Sequence, residues 1–510
     1  MAQELKSISL VAPAFKGVNT EDSPIAQDPS FAETADNAVI DKRGRIASRK
    51  GYEVITTTKT ELGSGKIRAI KQFKESDGTY KVFSVGNNKI LSGTTTLVDE
   101  TPGSYTITGS DWKIVDFNDN IYFFQDAHEP LVYNNSTDGV VKMSTITGAS
   151  AVGDIPKGHE VIGAYGRLWT AKKGDQTVYW SDLLIGHDWS DSGGSSGSLN
   201  LTKVWPDGYD EIVALAAHNG LLIIFGTKSI VVYQNATDPT NSMSLADTVA
   251  GVGCVSRDTI QHTGTDVLFL SHSGLRSFGR TIQEKSMPVR TLSKTITKDI
   301  IEEIQKEGSF FRTVYSPEES FYLLSFVGRS TTFCFDLRGP LQDGSLRVTR
   351  WPSSVFTAYE RADDGTLYIG SDQGISEYKG YQDNGSSYRF KYYSPSLTFG
   401  DASRLKFIKK IKPTIIGSSN ASAFVKYSYD FSEIYKNITF QIPTTGTVAE
   451  FNIAEFNVAE FSGESKQIIQ RALNATGNGS TVVVGLESDI NGSELSLQEI
   501  NILALVGKTL

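Results

Sequence analysis

Cysteine is nearly absent from this chain. Cys254 and Cys334 are its two thiols, they lie far apart in apolar alternating stretches, and their number excludes a disulfide framework; both are expected as reduced core residues. No CxxC or HxxxH spacing occurs, which removes the usual zinc arrangements. The six histidines, His128, His159, His187, His218, His262 and His272, are scattered and read as surface or turn residues. No metal and no cofactor is therefore expected. Long apolar runs are also missing, and nothing approaches the ~20 residues a membrane helix needs. The opening MAQELKSISLVAPAF lacks a basic flank followed by an apolar segment, so no secretory leader is read there and the protein is expected to be made in a cytoplasm.

Positive charge is in deficit. Lys and Arg number 49 against 58 Asp and Glu, a formal charge of −9, the wrong sign for a protein that grips nucleic acid through its phosphates. Basic residues do gather at Lys42–Lys50 (KRGRIASRK) and Arg404–Lys412 (RLKFIKKIK). Both groups are interleaved with apolar strand residues and read as a solvated sheet face or a contact with an acidic partner.

What the chain has in abundance is repetition. Seven stretches share an alternating apolar strand, a turn of Gly, Asn or Asp, and a second strand ending near an aromatic residue. They begin at Ile67, Trp112, Val161, Ile212, Asp258, Thr313 and Phe356, so successive starts are 45, 49, 51, 46, 55 and 43 residues apart. That spacing is one four-stranded propeller blade, not a helical repeat. Runs such as Leu221–Phe225 (LLIIF) suit inner strands covered on both faces. The turns Asn118-Asp119, Asn219-Gly220 and Asp364-Gly365 close hairpins without strain. With 47 Gly, 15 Pro, 26 Phe and 21 Tyr, the composition is that of turn-rich sheet. The expected fold is all-β: a propeller of about seven blades with an N-terminal arm and a C-terminal β-sandwich-like domain. The alternative is a set of separate sandwiches with similar hairpins.

Three segments follow, since 510 residues exceed one core. Residues 1–60 read as an irregular arm that needs a partner surface, followed by a hairpin turning at Lys42-Arg43-Gly44. Residues 61–393 are the propeller, interrupted by one helix whose Ile296, Ile300, Ile301 and Ile304 share a face and which Gly308 can end. Within it, DSGGSSGSL (191–199) reads as an exposed loop. Residues 394–510 are the second β domain, holding a tandem of Ala-Glu-Phe units with Phe451, Phe456 and Phe461 five residues apart. That period fits neither strand nor helix and reads as a loop presenting three rings to a groove or neighbouring subunit.

Enzyme motifs fail on inspection. Gly63-Ser64-Gly65-Lys66 resembles a phosphate loop, but Ile67 stands where Ser or Thr is required. The stretch Asp489–Glu494 lacks the ligand count of a calcium loop. Asp363, Asp364, Asp372 and Glu377 could supply a glycosidase pair, though hairpin-tip carboxylates serve turns equally well.

The residues resemble one family. Lys16-Gly17-Val18-Asn19, Ser23-Pro24, Ala38 and Asp41–Tyr52 (DKRGRIASRKGY) are similar to the opening GGxN, SP and GxxxxRPGY pattern of the nozzle, or tubular tail, proteins of short-tailed bacteriophages, with Lys50 where the pattern has Pro. Gly166-Arg167-Leu168-Trp169, Val178–Asp182, Asp188-Trp189, the Ala-Glu-Phe tandem and Val484–Ile502 extend the likeness over most of the chain. The resemblance implies a structural virion protein of the tail, without enzymatic activity. It implies a six-fold ring below the portal and its adaptor ring, tail fibre proteins as neighbours, and viral DNA passing through the channel without sequence-specific binding; no membrane is involved. An acidic bore would repel phosphate and let a duplex slide. Subunit contacts are then expected at Phe451, Phe456 and Phe461 and at Arg43, Arg45 and Arg49. The competing reading is a carbohydrate-binding or glycan-cleaving propeller in which Trp169, Trp180 and Trp189 stack on sugar rings.

Overall fold

The computed structural model describes residues 4–11, 14–103, 105–107, 111–134, 136–137, 139–151, 155–190, 195–283, 291–308, 310–417, 421–442 and 467–509. Each repeat folds as an antiparallel meander. Blade 1 runs Ile67–Lys74, Tyr80–Gly86, Lys89–Ser92, Val98–Asp99, and blade 2 runs Trp112–Phe117, Asn120–Gln125, Leu131–Tyr133, Val141–Lys142. Blade 3 (Glu160–Ala164 to Gly197–Asn200), blade 4 (Ile212–His218 to Ser244–Ala250) and blade 6 (Phe311–Ser316 to Arg347–Pro352) repeat the pattern. Blade 7 uses Ala358–Arg361, Leu367–Ser371 and Gly374–Glu377, and its fourth strand is Glu53–Val54 from the N-terminal segment, with Val54 opposite Ser376. The innermost strands neighbour one another in order, and blade 7 returns to blade 1, so the disc closes.

Among the described residues the fifth unit has three strands, Gln261–His262, Val267–Ser271 and Gly274–Ser277. Against about seven blades expected, six are therefore complete. The reason is local: beyond Ser277 the chain turns into two helices, Phe278–Gln283 and Thr297–Glu307, and the second packs on Gly274–Ser277 where a fourth strand would lie. Its buried face is Ile300, with Ile296 just before it and Ile304 partly covered, and Gly308 ends it at φ +83°.

Apolar clusters sit between neighbouring units rather than within them. In the second strand of blade 4, Leu222 and Ile224 point into the cluster shared with blade 3, whereas Ile223 and Phe225 point into the one shared with the fifth unit. A strand sandwiched on both faces has no solvent side, which is why LLIIF is unbroken by polar residues. The turns behave as their residues dictate: Asn118 and Asp119 take φ +47° and +60°, Asn219 and Gly220 take +48° and +77°, the left-handed pair of a tight hairpin.

The second domain is a two-layer sandwich. One layer contains Thr34–Asp36, Tyr388–Tyr393, Val482–Ile490, Ser422–Tyr429 and Lys436–Gln441; Asp36 pairs in parallel with Arg350 of blade 6, so propeller and sandwich share one nine-stranded sheet. The other layer is built on Arg404–Gly417 against Leu495–Thr509, with Glu4–Leu10 and Ile46–Ser48 paired to the latter. Tyr392, Val484 and Leu486 from the first layer share a core with Ile411, Ile415, Ile500 and Ile502 from the second. Among the described residues the N-terminal segment contributes five short strands, with residues 14–33 irregular between the first two, and the surfaces that order it are the chain's own sandwich and propeller. The hairpin at Lys42-Arg43-Gly44 forms as expected, Ala38–Ile40 pairing with Ile46–Ser48. Gly197–Leu199, expected in a loop, belong to Gly197–Asn200, the outer strand of blade 3.

Candidate functional site

The innermost strands carry charge where their outer neighbours carry apolar side chains, and these charges meet along the propeller axis. Lys71 of blade 1 reaches Glu360 of blade 7 at 3.1 Å and Asp116 of blade 2 at 3.3 Å. Lys113 of blade 2 lies 3.7 Å from Glu160 of blade 3, whose other oxygen accepts the Leu215 N–H of blade 4. Arg257, just before the fifth unit, donates to Asp111 at 2.7 Å, and Arg312 of blade 6 donates to Asp258 at 2.9 Å. Glu160 is 1% exposed, Arg257 3% and Arg312 8%. Every blade except the fourth places a charged side chain in this belt, and the fourth gives it a backbone N–H.

Protonation follows from burial and pairing together. Burial pushes the Glu160 carboxyl up, against the pull of Lys113 and Arg257. Burial alone would lower Lys71, but Glu360 and Asp116 outweigh it and its ammonium becomes harder to deprotonate. Burial would raise Asp258, yet Arg312 and Arg257 hold it below the usual carboxylate range. His159, expected at the surface, is buried beside this belt: desolvation, then the Arg257 charge, lower it to about 4, so its imidazole is neutral. The arrangement joins the blades around the axis by opposed charges. A glycosidase centre needs two carboxylates facing a substrate; here each axial carboxylate faces a cation.

The other carboxylates considered from sequence are not brought together. Asp364 caps its own turn through the Thr366 N–H at 2.9 Å and Glu377 pairs with Lys379 at 2.7 Å. Asp363 and Asp364 lie in the turn between the first two strands of blade 7, whereas Asp372 lies in the next turn, at the other end of the hairpin. Trp169, Trp180 and Trp189 are 0%, 5% and 7% exposed. Trp169 and Trp180 pack at 5.4 Å between centroids, and their indole N–H groups donate to Ala164 and Ser195 carbonyls. They are core residues, not sugar platforms. Gly63–Lys66 precedes the strand Ile67–Lys74 instead of a helix, so it offers no helix N-terminus to a phosphate.

A second constellation lies where the N-terminal segment crosses from sandwich to propeller. Arg49, 5% exposed, sends Nη1 and Nη2 to the two oxygens of Asp383 at 2.8 and 2.7 Å and Nε to Asn37 at 3.0 Å, and its guanidinium lies 4.2 Å from the Tyr388 ring centre. That side chain, expected at a subunit contact, is buried and paired within its own chain. Arg45 pairs with Asp41 at 2.7 Å and reaches Gln498, while Arg43 is exposed at the hairpin turn. Phe451, Phe456 and Phe461 lie outside the described residues. Lys50 donates its backbone N–H to Tyr378 Oη at 3.1 Å and its ammonium to Glu319. A proline there would lack that N–H, so Lys50 fills a backbone role that proline could not. The axial ion pairs were not legible beforehand; the available signal was a charged residue in the first strand of successive repeats.

No family model matches this chain, and no curated protein matches it. Solved structures similar in part include the extracellular domain of the putative one component system BT4673 from B. thetaiotaomicron, at 10% identity, covering 77% of this chain and 48% of that one with a TM-score of 0.41. This chain thus spans about half the length of that protein. The WD40 β-propeller domain of Doa1 is similar at 13% identity over 64% of this chain and 96% of that one, TM-score 0.36, and PorZ of Porphyromonas gingivalis at 12% over 65% and 42%, TM-score 0.36. The propeller assignment itself rests on the strand pairing above.

Proposed function

We propose that this protein is a structural subunit of a short-tailed phage virion, a ring-forming tail nozzle through which the genome passes. The carrying observation is the union of propeller and sandwich into one body through a shared nine-stranded sheet, a wall element that works by shape and charge. Four of the residues that carry the family resemblance, Gly17, Asn19, Pro24 and Gly51, support the reading through holding roles. Gly17 takes φ +92° with its α-carbon against blade 6, where a Cβ would meet the Val348 nitrogen at 2.6 Å. Asn19 accepts the N–H groups of Glu21 and Asp22, Pro24 accepts the Ser396 N–H, and a Cβ on Gly51 would overlap the Gln382 carbonyl.

In this reading DNA travels through the bore at the centre of the ring, between subunits, and not along the propeller axis, which paired charges occupy. The net charge of −9 keeps phosphate from adhering to the wall. The adaptor ring and tail fibre proteins are its neighbours in the virion, and no reaction is catalysed. The buried tryptophans count against the sugar-binding alternative.

Electron microscopy of the purified full chain, with a count of copies per particle, tests the proposal. Annular particles of six copies with an open centre are expected. Monomers at every concentration, or release of sugar from host polysaccharide, would overturn it.

A further inference from the structure

The strand Arg404–Gly417 carries three register shifts against Leu495–Thr509, and the middle one breaks its inside-outside alternation. Ile408 and Ile411 are both buried although three residues apart, because a bulge between Ile408 and Lys410 inserts one residue; a bulge of this kind turns two consecutive side chains outward. Lys409 and Lys410 are therefore both exposed, and Lys412 follows on the same outer face. Arg471, between the strands Gln467–Gln470 and Leu473–Asn474 that pair with this one, is exposed, its backbone N–H bonded to the Pro413 carbonyl. Among the described residues none of these four cations is in an ion pair, in a chain whose net charge is −9. Lys410 pairs with Leu503, and Leu5, 62% exposed, lies opposite Leu505, so apolar side chains border the basic ones.

An acidic counterpart exists elsewhere on the same molecule. The turns joining the first and second strands of a propeller all lie on one face, and those of the adjacent blades 7, 1 and 2 carry Asp363, Asp364, Asp77 and Asp119. All four are exposed and none is in an ion pair among the described residues. Asp363 donates its backbone N–H to Gln72, which ties the blade 7 turn to blade 1 and holds the carboxylates as one surface.

We propose that the basic outer face of the sandwich in one copy docks on the acidic turns of blades 7, 1 and 2 in the next copy. This rests on the ring reading above. The two surfaces are different parts of one chain, so the contact is heterologous, the kind that closes into a ring when the rotation per subunit allows. Four cations and four carboxylates, none of them in an ion pair among the described residues of its own chain, meet in a match that sets register and steers encounter, while Leu5 and its neighbours contribute apolar area.

Charge reversal tests the pairing in the full-length protein. Lys409→Glu/Lys410→Glu/Lys412→Glu in one variant and Asp119→Lys/Asp363→Lys in another are expected each to raise the concentration needed for assembly on the order of tenfold or more, read as copies per particle by mass photometry. An equimolar mixture of the two variants, or the five changes in one chain, should assemble closer to wild type. Wild-type assembly should weaken as salt rises, because the pairs are exposed and screened. Circular dichroism and thermal unfolding of each variant check that the fold is retained; should the acidic-face variant unfold, the basic-face variant and its neutral Lys→Gln form decide alone. If a reversed variant assembles like wild type, or reversing both faces restores nothing, the surface pairing is wrong while the ring stands. If wild type forms no particle at any concentration, the ring reading falls and this contact with it.

Discussion

The guanidinium of Arg49 and the carboxylate of Asp383, separated by 334 positions in the chain, meet end to end through two hydrogen bonds of 2.8 and 2.7 Å. Parallel donation of this kind is geometrically specific, and it fastens the N-terminal segment to the link between propeller and sandwich. Removing one partner from a buried pair strands the other charge. Arg49→Ala is expected to cost about 3 kcal/mol or more, read as a lower denaturant midpoint with an unchanged slope. Arg49→Lys should recover less than half of that, since a lysine lacks the fork and the flat contact with Tyr388.

His159 gives the protein an acid sensitivity. Burial first, then Arg257, lower its imidazole to about 4, with Asp111 and Asp126 opposing. A histidine whose folded pKa lies below its ordinary 6.5 binds fewer protons folded than unfolded, so stability is lost as pH falls from 6.5 toward 4. Compared with His159→Gln, wild type should lose up to about 3 kcal/mol across that window and show no difference in pH dependence above pH 7. Unfolding curves at stepped pH measure this.

Glu487 has the opposite sign. Burial would raise its carboxyl, but hydrogen bonds from Lys426, Tyr393 and Arg389 more than offset it and hold the group at about 2. Its contribution is present above the unfolded carboxylate value and disappears as pH falls toward 2. Glu487→Gln should destabilise the sandwich by about 2 kcal/mol at pH 7, less than the whole shift implies because water screens part of the site. The difference from wild type should vanish near pH 2.

Cys254 and Cys334 are free and buried, as their sequence context suggested. Burial pushes the Cys254 thiol up to about 12 and raises Cys334 as well, so neither forms the reactive thiolate near neutrality. A colourimetric thiol reagent at pH 8 should find no reactive group in the native protein and two after unfolding.

The Ala-Glu-Phe tandem offers a test of assembly independent of charge. Replacing Phe451, Phe456 and Phe461 with Ser should lower particle yield in the same microscopy while the thermal transition of the propeller stays in place; yield equal to wild type would remove these residues from the interface.

Much of the fold was readable because it is local. Asn219-Gly220 and Asn118-Asp119 set hairpin turns through their own φ preferences, the LLIIF run announced a strand covered on both faces, and Ile296, Ile300 and Ile304 marked the helix by spacing alone. The candidate site was legible only in fragments. Nothing near His159 in sequence signals that Arg257 and Asp111 approach it, and Arg49 reads as one cation in a basic run until Asp383 is brought to it.

The sequence by itself determined where strands and turns fall, since backbone preference and apolar alternation act over a few residues. The tertiary structure alone decided that Glu53–Val54 closes the last blade, that helices replace a strand in the fifth unit, and that both ends of the chain enter one sandwich. Backbone N–H and C=O groups are the same in every residue, so which distant strand pairs with which is chosen by the shape of the closed ring and not by any local run of side chains.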